Sequence, residues 1–409
     1  MTRRFMSCLL IWLSVTTIVR ASTGDSLRHW GYGVAMHPNW QQAFDKDIRA
    51  WLYDNEAFAV NVEAIHSALP SDSSAIDADF GYPTLAVGLR YGDNHRVTMR
   101  KSRTTDGSFS PLGNTLTLYG TFSRPLFRTR HWEADYAMGT GIGYSSTIYN
   151  KEDDIDNELI GSHLSVYFNV GLHLTYHPVP DWGIKAGVEF CHHSNGALAR
   201  PNKGANSLGP SLSLAYTPYY KATVKTQPVA TRHKPLTFVD LSVGVGGKTL
   251  LEEWRMTQAL PKSDPDYCTE DFTFYMTYSL HAKLMRRYAR RWASGVGVDL
   301  HYGSFSSRLD EIDRQLWRRE VTHSPWSVGV SANHNVYYHT MTLQMALGYY
   351  LYHETGFYSE RLEDKPYYER IGLFYSCPSL NNLSLGVSLN AHMTKADFTE
   401  IVISYPIKL

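Results

Sequence analysis

The sequence carries no surplus of either charge: 39 Lys and Arg stand against 39 Asp and Glu, so nothing in the balance recommends nucleic acid as a partner. Cysteine is scarce. Cys8, Cys191, Cys268 and Cys377 are the four in 409 residues, too few and too widely spaced for a disulfide framework or a zinc pattern. Isolated thiols, or at most one bridge, are expected. Long apolar runs are also missing: beyond the N-terminus no segment approaches the roughly 18 consecutive apolar residues of a spanning helix, and the mean hydropathy is only −0.31. What is abundant is aromatic and small. The 28 Tyr, 16 Phe, 10 Trp and 30 Gly are the composition of many short strands and turns.

At the N-terminus, Arg3 and Arg4 precede an apolar stretch from Phe5 to Val19 and the small-residue site Val19-Arg20-Ala21, the pattern of a cleaved secretory signal peptide. Its apolar stretch is shorter than the ~20 residues that cross a bilayer. Residues 1–21 are therefore expected to be removed, leaving 22–409 as an exported chain.

Fifteen segments then alternate in polarity, from Phe58–Ala68 and Thr84–Tyr91 through Gly183–Ser194 and Ser207–Tyr216 to Leu383–His392 and Phe398–Ile407, with a sixteenth near Trp30–Met36. So many strands exceed a compact sandwich. The last is the clearest: Ile401, Ile403, Tyr405, Ile407 and Leu409 share one parity, while Glu400, Ser404 and Lys408 share the other. Apolar-outward, polar-inward strands of about 9–11 residues mark a membrane barrel; any one of them also fits a half-buried strand of a soluble sheet, and only their recurrence in an exported chain favours the membrane. Connections are either tight, as at His339–Thr340 and Asn381–Asn382, or long and polar, as at Lys151–Gly161, Tyr219–Pro235, Leu250–Asp271 and Ser306–Pro325. The expected fold is all-β, one antiparallel transmembrane barrel of the outer-membrane type with an even number of strands between 12 and 16. Tyr219–Pro235 is the best boundary candidate, separating 22–218 from additional strands in 219–409, and is read as a long loop of a single barrel. A short amphipathic helix is expected within Ser307–His323, where Leu309, Ile312, Leu316 and Val321 roughly follow a helical period.

Two apparent motifs carry little. Ser242-Val-Gly-Val-Gly-Gly-Lys248-Thr249 has serine where a phosphate loop needs its first glycine and reads as strand and turn. Adjacent His192 and His193 point to opposite faces of a strand, so no metal site is expected there.

The informative segment runs from Ile184 to Tyr216. Ile184, Ala186, Val188 and Phe190 define an outward apolar face that His192 and Ser194 continue, while Lys185, Glu189 and Cys191 point inward; on the next strand Asn206 joins the outward face ahead of Leu208, Leu212 and Leu214. Three polar side chains on a lipid-facing wall are costly unless they bond one another. His192 and Ser194 can approach as base and nucleophile, with Asn206 beside them across the hairpin. Equally, they can mark a strand end at headgroup level, where polar groups are welcome.

His192-x-Ser194-Asn195, followed by Pro201-Asn202-x-Gly204, resembles the active-site motif of the outer-membrane lipid A 3-O-deacylases, or acyloxyacyl-hydrolase-like proteins. The resemblance extends to about Tyr216 and is strongest from Gly187 to Leu214. It implies hydrolysis of an ester-linked 3-hydroxyacyl chain of lipid A in the outer leaflet of a Gram-negative outer membrane, without metal or cofactor. By position it makes Ser194 the nucleophile and His192 the general base, with Asn195 and Gly196 supporting the oxyanion. Asn206 stands where the family typically has glutamate, and Gly196-Ala197 replaces its usual Ala-Gly. An amide can orient the imidazole but cannot offset its developing charge. The rival expectation is therefore a barrel of the same ancestry with a weakened site, acting as a pore or structural protein.

Overall fold

The computed structural model describes residues 29–409 apart from 45, 101–107, 219, 225–232, 318–319, 358–364 and 394; the signal-peptide reading of 1–21 and Cys8 lie outside the described residues. Strands β1 (Trp30–Gln41), β2 (Leu52–Ser67), β3 (Thr84–Asp93), β4 (Val97–Met99), β5 (Ser110–Pro111), β6 (Thr115–Arg128), β7 (Trp132–Ser145), β8 (Leu164–Val179), β9 (Trp182–Ser194) and β10 (Ala205–Tyr216) make up the first half. Eight of them close a ring through the β1–β10 and β1–β2 pairings, and the short β4 and β5 extend β2 outside it. The second half, β11 (Leu236–Lys248), β12 (Tyr275–Ala289), β13 (Trp292–Gly303), β14 (His323–Tyr338), β15 (Met341–Thr355), β16 (Tyr367–Cys377), β17 (Leu383–His392) and β18 (Lys395–Lys408), closes a second ring through β11–β18.

All sixteen alternating segments are barrel strands, but they form two rings of eight where a single ring of 12 to 16 was expected. The reason is pairing: β10 turns back to β1 and β18 to β11, so each half satisfies its own edges. Tyr219–Pro235 belongs to the crossing between rings rather than to a loop of one. Its Tyr220 stacks on His177 at 3.5 Å and its hydroxyl donates to Thr129 O at 2.9 Å, fastening the crossing to the tight-turn end of the first barrel.

Alternation governs both walls. On β18, Ile401, Ile403, Tyr405 and Ile407 are exposed while Glu400, Val402 and Ser404 are buried in the ring. Exposed Tyr32, Trp132, Tyr176 and Trp182 and half-buried Tyr216 gather at the tight-turn end of the first barrel, where Trp132 meets Tyr176 and Trp182 meets Tyr216. Such a girdle suits a membrane interface.

Eight-stranded rings leave an interior that side chains can fill. In the first, His173 bridges Asp135 at 3.1 Å and Glu189 at 3.0 Å, Lys185 pairs with Asp135, and Arg90 donates to Asn61. In the second, Asp299 holds His281 and Arg370 at 2.7 and 3.2 Å and accepts from the Tyr368 hydroxyl, and Lys283 faces Asp240 at 3.5 Å. The anticipated helix is Ser306–Trp317, with Leu309 and Ile312 buried, and stops before Val321. Ser242–Lys248 is strand, as read. Cys191, Cys268 and Cys377 are free thiols.

The barrels lie side by side with like ends together. At the tight-turn end, Arg290 pairs with Asp79 at 2.7 Å, Arg291 donates to Asp79 O, His339 meets Asp77 at 2.8 Å, and Phe80 packs edge-on against Tyr338. At the other end, the Tyr149 hydroxyl donates to Cys268 O at 2.7 Å and the Lys151 N–H to Glu270 at 2.6 Å.

With both interiors filled, the protein reconstituted in a planar bilayer is expected to show no steady ohmic conductance; a stable channel would contradict this packing. Asp299→Leu, which strands Arg370 and His281 together in the second lumen, is expected to cost roughly 3–5 kcal/mol in urea unfolding from micelles.

Candidate active site

The site is assembled where β9 and β10 meet, at the end carrying the long connections. Register does most of the work: His192 lies directly opposite Asn206 across the antiparallel ladder, and Ser194 follows two residues on, on the same face. The same ladder places His192 opposite Phe168 and Ser194 opposite Val166 on the other side, in β8.

These three outward residues form one hydrogen-bonded chain. His192 Nδ1 is 2.7 Å from Asn206 Oδ1 and Nε2 is 2.9 Å from Ser194 Oγ. Asn206 Nδ2 faces Gly204 O at 3.4 Å, which orients the amide with its oxygen toward the ring. An acceptor on that side places the ring proton on Nδ1, leaving the Nε2 lone pair to receive the serine hydroxyl proton. Ser194 is buried and its two partners are half-buried. Gly204 is required beside them: its φ is +77°, and an added Cβ would lie 2.6 Å from His192 Cε1.

Glu189 is no substitute acid. It points into the lumen, bonded to His173 and facing His37 at 3.5 Å. With both ring nitrogens of His192 engaged by Asn206 and Ser194, the site as built has an amide where a serine triad has a carboxylate.

The loop 195–204 leaves β9 and returns to β10. Asn195 holds it in shape: its backbone N–H donates to Asn202 Oδ1 at 3.1 Å, and its side-chain amide donates to Ser162 Oγ at 3.1 Å and Ala199 O at 3.2 Å. The expected oxyanion support from Asn195 is thus committed within the loop. Gly196 and Ala197 follow with φ of +63° and +70°. Among the described residues no hydrogen bond engages either of their N–H groups.

Sequence reasoning brought Ser194, His192 and Asn206 to one face; the structure also puts them in contact. It missed the roles of Asn202 and Ser162, although Asn202 belongs to the motif. It also missed the second barrel, whose Thr249, Leu389 and Thr399 reach the loop. Half-buried Arg200 donates to Thr249 O at 3.0 and 3.2 Å. Burial lowers the pKa of its guanidinium, while Glu252 and Asp397 of the second barrel act in the opposite sense.

Residues 79–215 match the family described as lipid A 3-O-deacylase (PagL), and residues 237–409 match the family described as acyloxyacyl hydrolase, C-terminal domain. No curated protein matches the chain. Among solved structures, the outer membrane enzyme PagL is 17% identical with a TM-score of 0.29, covering 46% of this chain and 98% of that one. An outer membrane channel from Pseudomonas putida is 9% identical with a TM-score of 0.20, covering 95% and 100%. The beta domain of a Bordetella autotransporter is 8% identical with a TM-score of 0.24, covering 93% and 99%. The first match takes in the strands that carry the hydrogen-bonded trio and the second takes in the whole of the other ring: the chain belongs to the lipid A 3-O-deacylase, acyloxyacyl-hydrolase-like family.

Proposed function

We propose that the protein is an outer-membrane serine esterase that removes an ester-linked 3-hydroxyacyl chain from lipid A at the 3-O position. The observation that carries this is the Ser194–His192–Asn206 chain, complete at 2.9 and 2.7 Å on an outward, membrane-facing wall. A site there meets an acyl ester without drawing the lipid out of the membrane. In bacterial barrels the long loops are extracellular, which sets this end at the outer leaflet, where lipid A resides.

Ser194 Oγ attacks the ester carbonyl while its proton passes to His192 Nε2. The tetrahedral intermediate collapses as the carbon–oxygen bond to the sugar breaks, and the imidazolium returns the proton to the leaving hydroxyl. Water, deprotonated by the same nitrogen, then releases the fatty acid and restores Ser194. Asn206 orients the ring through Nδ1 but contributes no counter-charge. More of the barrier therefore rests on the oxyanion, for which the unengaged N–H groups of Gly196 and Ala197, two and three residues beyond the nucleophile, are the candidate donors. The filled lumens oppose the rival reading of a pore. No step requires a metal or cofactor.

Hydrolysis of purified lipid A in detergent micelles tests this. His192→Ala is expected to lose about 10²–10⁴-fold in kcat, the usual worth of a general base, and Ser194→Ala to lose turnover altogether; full activity in Ser194→Ala would sink the assignment. Asn206→Ala should fall by only about tenfold, the value of one orienting hydrogen bond. Asn206→Glu should exceed the wild type in kcat, because a carboxylate would balance the imidazolium; a further fall would show that the site is built around the amide.

A further inference from the structure

The two residues after the catalytic strand are held by the other barrel. Gly196 O accepts the Thr399 hydroxyl at 2.9 Å, and Ala197 O accepts both the N–H and the hydroxyl of Thr249, at 2.9 and 3.0 Å. Arg200, farther along the same loop, closes the joint by donating to Thr249 O. Ala197 is 1% exposed and Thr249 is 3% exposed, so these are interior bonds rather than contacts with a wet surface. Thr399 occupies the outward parity of β18 at the site end, and Leu389 of β17 comes within 3.5 Å of the position a Gly196 Cβ would take.

A peptide unit is planar, so fixing a carbonyl fixes the N–H on the next residue. The Thr399 bond to Gly196 O therefore sets the direction of the Ala197 N–H. On the other side, Thr249 fixes Ala197 O and with it the Leu198 N–H, which donates to Asn195 O at 3.3 Å and so sets the Gly196 N–H. Both residues sit at positive φ, a conformation that a loop keeps only when its surroundings hold it. Glycine at 196 is also demanded by space: an added Cβ would meet Thr399 Oγ1 at 2.2 Å.

We propose that the second barrel is a positioning element of the esterase, with Thr399 and Thr249 aiming the Gly196 and Ala197 N–H groups at the oxyanion. This rests on the esterase reading above. The hydrolytic site is then shared: nucleophile and base come from the first ring, and the alignment of the oxyanion donors from the second. Substrate grip is not part of this role, so the effect belongs in kcat rather than KM.

The full-length protein, assayed on lipid A micelles, tests it. Thr399→Val is expected to lower kcat about tenfold, less than the 10²–10³ typical of deleting an oxyanion donor, with KM unchanged and the heat-modifiable migration of a folded barrel retained. Thr399→Ser, which keeps the hydroxyl, should restore the rate. Asp77→Ala, which loosens the barrel joint at the far end by releasing His339, should leave kcat at the wild-type value. Equal losses in Thr399→Val and Asp77→Ala would reduce the second barrel to general support, and wild-type kcat in Thr399→Val would overturn the proposal outright. Turnover surviving in Ser194→Ala is a separate result, one that removes the esterase reading itself.

Discussion

The register that sets Asn206 opposite His192 is the constraint on which the site depends. In a strand, side chains two residues apart share a face and a one-residue slip reverses it. Slipping β10 by one against β9 would turn Asn206 into the lumen and bring Ala205 or Ser207 to the histidine. The register is locked from both sides: the outward Leu208, Leu212 and Leu214 need lipid, and the inward Ser211 needs the polar interior. The energetics of membrane burial thus align the His192–Asn206 hydrogen bond, with no interaction devoted to the site alone.

The same pleat explains what could be read from the sequence. Apolar-outward alternation is a local signal, and it reveals every barrel strand, the outward parity of His192, Ser194 and Asn206, and the inward turn of Glu189. Ring closure is different. Whether sixteen strands make one barrel or two is decided by β1 meeting β10 and β11 meeting β18, pairings far apart in sequence that no period encodes. Asn195 was legible as a site residue but not as a loop fastener, because its partners Asn202, Ser162 and Ala199 converge only once the loop is folded. Thr399 lies some two hundred positions from the loop it touches and carries no motif of its own.

Two small barrels also change what the second half contributes. A single wide ring would have enclosed a lumen; two rings of eight enclose ion pairs and aromatic side chains instead. What the second ring offers is its outer wall, fastened to the first by Asp77, Asp79 and Phe80 at one end and by Thr249, Cys268 and Glu270 at the other. Anchorage at both ends limits rocking of one ring on the other, which is what a shared, strained loop between them requires. An amide in the place of a triad carboxylate fits the same picture, since a site lacking counter-charge at its base depends more heavily on fixed oxyanion donors.

The central claim, a lipid-facing serine esterase acting on lipid A, is met most directly by mass spectrometry of lipid A from outer membranes that express the wild-type chain or its Ser194→Ala variant at equal levels. The account predicts loss of one hydroxyacyl mass with the wild type and intact lipid A with the variant. Intact lipid A in both, with the wild-type barrels correctly inserted, would contradict it.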